Sequence, residues 1–88
     1  IEHNIYKYNG YHLIMQGQVD MVYPSRSLNR DGSALIFYES GCQILAEVRR
    51  EDIQIGDVVS VSGRYDGYAI KDAAVAIIDN GYYGGSDK

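Results

Sequence analysis

Turn-forming residues interrupt this chain about every ten residues, which makes each uninterrupted piece the length of a single strand and its connection. The breaks fall at Asn9-Gly10, Pro24, Asp31-Gly32, Gly41, Gly56, Asp66-Gly67 and Asn80-Gly81. Between them the apolar residues recur with a period of two, the spacing of a strand with one face buried. In residues 11–23, Leu13, Met15, Val19 and Met21 are apolar while Gln16, Gln18 and Asp20 are polar. Gly17 breaks that run where a long first strand, shared by two halves of a small barrel, has to bend.

Four more pieces follow the same rule. In residues 34–39, Leu35 and Phe37 fall on one face and Ala34, Ile36 and Tyr38 on the other. In residues 42–49, Ile44, Ala46 and Val48 take the inward face and Gln43, Glu47 and Arg49 the solvent face, with Leu45 as an apolar exception. Residues 50–55 leave room for one helical turn at most. Residues 58–65 alternate Val59 and Val61 with Ser60 and Ser62, and Asp66-Gly67 between two alternating runs is a strong hairpin signal leading into a last strand over residues 68–78. The fold class predicted is all-β: a five-stranded Greek-key barrel of the oligonucleotide/oligosaccharide-binding (OB) type, with at most one short helical turn between strands 3 and 4. The expected organisation is an N-terminal arm over residues 1–10, the barrel over 11–79 and a flexible tail over 80–88.

Size and charge narrow what such a barrel can do. A chain of 88 residues holds one small core and has little apolar surface to spare for a deep substrate pocket. Eight Lys and Arg against twelve Asp and Glu give a net charge of −4, which argues against holding duplex DNA on a broad cationic surface. Any nucleic-acid site has to be local. The single Cys42 rules out an internal disulfide and fits a reducing compartment, so a cytoplasmic location is expected. No run of about 18 apolar residues occurs, and no membrane contact is expected. His3, His12 and Cys42 lack the paired short spacing of a zinc site, and Gly81-Tyr-Tyr-Gly84-Gly85 lacks the Lys and Ser or Thr of a phosphate loop. No cofactor, metal or catalytic residue is therefore expected.

Three stretches carry a family resemblance: Gly17-Gln-Val19, then Gly56-Asp57-Val-Val59-Ser-Val61-Ser-Gly63-Arg64, then the apolar run from Ile70 to Ile78. Together they resemble the anticodon-binding and single-strand-binding group of OB-fold domains, with a "G-x-V" on strand 1 and "G-D-x-V-x-V-x-G" leading into strand 4. The likeness covers about residues 13–78. Its glycines and valines serve barrel geometry, so it speaks to fold more than to activity. The sequence departs from the group's usual pattern between strands 3 and 4, where a helix is common and this chain is too short for one. The barrel bottom is expected to be less covered there.

OB folds bind ligands on the strand 2–3 face and with the loops joining strands 1–2 and 4–5. On that plan Arg26 and Arg30, in the first loop, and Arg49, Arg64 and Lys71 are candidates for backbone phosphate contacts, and Tyr38, Tyr65 and Tyr68 for base stacking. Plainer readings stand beside these. Tyr65 and Tyr68 also fit a cross-strand pair flanking a turn, Arg26 and Arg30 solvated loop residues, Phe37 the core rather than a platform, and Arg49-Arg50 beside Glu51-Asp52 a self-neutralising cluster. The expected function is a non-enzymatic module binding single-stranded DNA or RNA, weakly or within a larger assembly. The alternative is a protein–protein interaction domain, or a homo-oligomer, working through exposed Tyr and the N-terminal arm.

Overall fold

In a computed structural model, residues 5–25 and 32–79 are described, and they form a closed five-stranded barrel of the OB type. A 3-10 turn at Ile5–Tyr8 precedes β1 (His12–Pro24), β2 (Ser33–Glu39), β3 (Cys42–Val48), β4 (Val58–Tyr65) and β5 (Ile70–Asp79). The strand order is β1-β2-β3-β5-β4, with β4 returning to β1. All seams are antiparallel except β3–β5, which is parallel.

β1 serves both halves of the barrel. It pairs with β4 from His12 to Gln18 and with β2 from Gln18 to Pro24, so the strand changes partner at Gln18. Gly17 allows that crossing: a Cβ there would lie 2.5 Å from the Tyr38 carbonyl oxygen and 2.7 Å from Cδ2 of Phe37. Three residues further on, Asp20 is an extra residue between the Val19–Phe37 and Met21–Ile36 pairs. This bulge reverses the phase of the alternation. Val19 is buried, but Met21 and Tyr23 emerge on the outside, 40% and 42% exposed. The inward place expected for Met21 is corrected accordingly.

A second bulge shifts β5. Ser62 pairs with Ala74 and Arg64 with Lys71, so Gly63 alone opposes two residues, Asp72 and Ala73. Asp72 takes up the extra residue with a φ of 47°. A Cβ on Gly63 would sit 2.8 Å from Cγ2 of Ile70 and 3.3 Å from Cα of Ala73, so only glycine lets the bulged strand lie this close. Ile70 and Ala73 thereby both point inward, which strict alternation forbids.

The core runs through the barrel from Val19, Leu35 and Phe37 past Ile44, Val48, Val59 and Val61 to Ile70. Phe37 is fully enclosed, and Cys42 packs against this cluster half-buried at the start of β3. The β3–β4 connection contains no helix, yet the barrel bottom is covered. Ile53 is 4% exposed and inserts into the core from that connection. Beside it the Gly56-Asp57 turn is tied to β1: Gly56 N–H donates to the Val19 carbonyl (2.8 Å) and Val19 N–H to the Asp57 carbonyl (2.8 Å). The buried Asp57 carboxylate in turn accepts from Gln54 N–H at 2.9 Å. The "G-D-x-V-x-V-x-G" residues are thus occupied in holding the barrel together.

Candidate ligand-binding face

Strand registers set the outer residues of β1, β2 and β3 in three rows. Tyr23, Ala34 and Glu47 form one, Met21, Ile36 and Leu45 the next, and Gln18, Tyr38 and Gln43 the third. The face carries a tyrosine in its first and third rows, is apolar along its middle row and bears two amides in the third. Tyr38 is 48% exposed, and the Tyr23 hydroxyl donates to Sδ of Met21 at 3.2 Å, which ties that ring to its own strand.

Residues 66–69 join β4 to β5 and border the β3 side of this face. The Asp66 carboxylate accepts from the N–H groups of Tyr68 (2.9 Å) and Ala69 (2.8 Å), and Asp66 N–H donates to the Ala69 carbonyl. These bonds, that from Ala69 first and that from Tyr68 next, hold the carboxyl below the usual carboxylate range, aided by Lys71. The result is a four-residue loop rather than the tight two-residue hairpin that Asp66-Gly67 suggests, and it carries Tyr68 outward, 69% exposed.

Opposite this loop stands the N-terminal segment. Gly10 N–H donates to the Tyr65 carbonyl (2.7 Å) and Tyr65 N–H to the Tyr11 carbonyl (3.0 Å), which anchors the 3-10 turn beside the end of β4. Between the turn and the loop lies a groove of about 330 Å³. Ile36 and Leu45 line it from the sheet, Tyr6 from the turn and Tyr68 from the loop, and Gln43 and Tyr65 are its polar side chains. The apolar Leu45 on the solvent side of β3 is explained by this cover.

Two of the cations predicted to meet phosphate, Lys71 and Arg49, are already engaged. Lys71 Nζ lies 3.3 Å from Glu47 Oε1 and 5.7 Å from the centroid of the Tyr68 ring. Glu47, expected to face water, is 9% exposed. Arg49 Nε donates to Asp72 at 2.9 Å across the β3–β5 seam, whereas Arg50 pairs with Asp52. That second pair raises the Arg50 pKa and lowers that of Asp52, each chiefly through their mutual hydrogen bonds. The self-neutralising cluster therefore covers Arg50 and Asp52 but not Arg49. Arg64, exposed on β4 between His12 and Lys71, lies off the three rows and makes no ion pair among the described residues. Arg26 and Arg30 fall outside the described residues; the base of their loop is closed by Ser25 N–H donating to the Gly32 carbonyl.

Tyr65 is not a surface stacking residue. It continues the inward phase of Val59 and Val61 and is 4% exposed, with its ring in the core. Burial pushes its phenol pKa up, and the neighbouring Tyr6 and Asp66 add to the effect. Its hydroxyl finds no hydrogen-bond partner among the described residues, although Tyr65 lines the groove. Of the predicted aromatics the structure thus brings Tyr38 and Tyr68 to the face, and adds Tyr6 and Tyr23. No protein-family model, curated protein or solved structure matches the chain.

Proposed function

We propose that this protein is a non-enzymatic OB-fold module that holds single-stranded nucleic acid across the outer face of β1–β3, weakly or as one surface of a larger assembly. One observation carries the reading: Tyr23, Tyr38 and Tyr68 stand 42%, 48% and 69% exposed around one sheet face whose middle row is apolar. Tyr23 and Tyr38 lie four β2 residues apart by register, about 14 Å at 3.4 Å per residue. An extended strand, with bases splayed on separate rings, suits that spacing better than a compact ligand does. Stacking on such rings is sequence-tolerant and contributes about 1–3 kcal/mol per base.

Backbone contacts fall to Arg26, Arg30, Arg49, Arg64 and Lys71. Phosphates reaching Arg49 or Lys71 compete with Asp72 and Glu47, so few counterions are released on binding. The test is fluorescence anisotropy with labelled poly-dT and mixed RNA oligomers at several salt concentrations. The expected slope of log K against log salt is shallow, about −1.4 to −2.1 for two or three phosphates. Tyr38→Ala and Tyr68→Ala should each remove about 1–3 kcal/mol of affinity with the melting temperature unchanged. Equal affinity in both variants would rule out this face.

The same ion pairs favour a second reading. A face of exposed Tyr whose cations are neutralised by its own acids matches the aromatic, charge-poor centre of a protein interface. On that reading the occupant is a protein partner or a second copy. No oligomer bound even at low salt, together with self-association lost in Tyr38→Ala, would transfer the face to it.

A further inference from the structure

We infer that the groove between the 3-10 turn and the β4–β5 loop is a pocket for one planar nucleobase, with the Tyr65 hydroxyl and the Gln43 amide reading the base edge. The inference rests on the nucleic-acid reading for its biological ligand, but not for its test. The groove's volume, about 330 Å³, sits at the lower end of the roughly 300–1,000 Å³ typical of small-ligand sites.

Three features point to an occupant. The first is the Tyr65 hydroxyl. A buried polar group is ordinarily hydrogen-bonded, because leaving it without a partner forfeits its hydration for nothing. Tyr65 is 96% removed from solvent by its 4% exposure, lines the groove, and has no side-chain partner among the described residues. A phenylalanine would pack the core equally well, so the hydroxyl has no structural use that the fold reveals. The second is Gln43. Its amide offers a donor and an acceptor side by side, makes no hydrogen bond among the described residues, and lies at the end of the row that carries Tyr38. Adjacent donor and acceptor atoms on a heterocycle edge are what such an amide pairs with. The third is the pair of rings lining the groove, Tyr6 and Tyr68, each 69% exposed, together with apolar Ile36 and Leu45. Exposed aromatic rings, apolar side chains and two polar groups lining one groove suit a planar heterocycle, not a chain of methylenes or a phosphate.

The pocket is partly made by the chain's own N-terminal segment, through Ile5 and Tyr6, rather than by the barrel alone. An oligomer lying on the Tyr23–Tyr38 face would reach it past Gln43, so its base would be the one position read by hydrogen bonds while the others stack without selection.

The test uses free nucleosides on the whole chain, followed by ¹H–¹⁵N correlation spectra. Uridine, cytidine, adenosine and guanosine are each titrated to millimolar concentration, with ribose as the control. The expected result is saturable shifts of the Gln43 side-chain amide and of the Gly67 and Tyr68 backbone amides for at least one nucleoside, and none for ribose. Tyr65→Phe, which keeps the ring, should weaken that binding roughly two- to tenfold, the range for one neutral hydrogen bond. Gln43→Leu should abolish discrimination among the four. Unmoved Gln43, Gly67 and Tyr68 signals overturn the pocket, as does binding indifferent to both substitutions. Oligomer binding without nucleoside shifts defeats the pocket and leaves the nucleic-acid face standing. Nucleoside shifts without oligomer binding keep the pocket, as a site for a small heterocycle, and defeat the face.

Discussion

Tyr65 shows how one side chain can be half structure and half surface. Its ring belongs to the core with Val61 and Ile70, while its hydroxyl lines the groove. Removing the oxygen should therefore change the stability of the free protein by less than about 1 kcal/mol, because the hydroxyl makes no hydrogen bond to another described residue. Urea denaturation of Tyr65→Phe checks this, and a loss of stability would show that the hydroxyl is satisfied in the fold. The same variant has a pH signature. Folding raises the phenol pKa above its ordinary 10.0, so above that pH the unfolded chain gives up a proton that the folded one keeps. Stability from this group is whole below pH 10 and falls as pH climbs through it, and Tyr65→Phe should flatten that alkaline decline. Burial of Tyr65 was legible in the sequence, because Val59, Val61, Gly63 and Tyr65 share one parity. Its position beside Asp66-Gly67 equally suits a loop residue, so the strand's parity has to decide.

Among the elements, strand existence and order followed from turn spacing, but strand phase did not. Alternation counting assumes one residue per step, and a bulge adds a residue that no composition betrays. Asp20 looked like another outward polar position, yet it reverses β1 and brings Met21 and Tyr23 onto the face. Asp72 does the same for β5 opposite Gly63. The length of the β3–β4 connection is enough to exclude a helix there, but the sequence does not show what replaces it, because Ile53 and Ile55 are equally apolar and only Ile53 is buried. Ile53→Ala should cost about 2–3 kcal/mol, since the barrel end has no other residue of that connection in the core, whereas Ile55→Ala should be near neutral. Chemical denaturation of the two variants side by side separates a true plug from a loop that merely passes by.

For the molecule as a whole, closure leaves the β3–β5 seam as its least secured join. Only Ala46–Ile70 and Val48–Ala73 pair across it, supported by the Glu47–Lys71 and Arg49–Asp72 contacts. Amide hydrogen exchange should show β3 and β5 opening together and ahead of the β1–β4 seam, with its seven paired positions, and a uniform rate around the barrel would contradict this. The groove lies at one end of that join: Gln43 and Leu45 come from β3, Tyr65 from the end of β4 and Tyr68 from the loop leading into β5. Anything seated there works as a staple across the weakest stitch. A ligand of this barrel would consequently announce itself as slowed exchange along the whole of β3 and β5, beyond the few residues it touches, because it holds the two ends of the ribbon together.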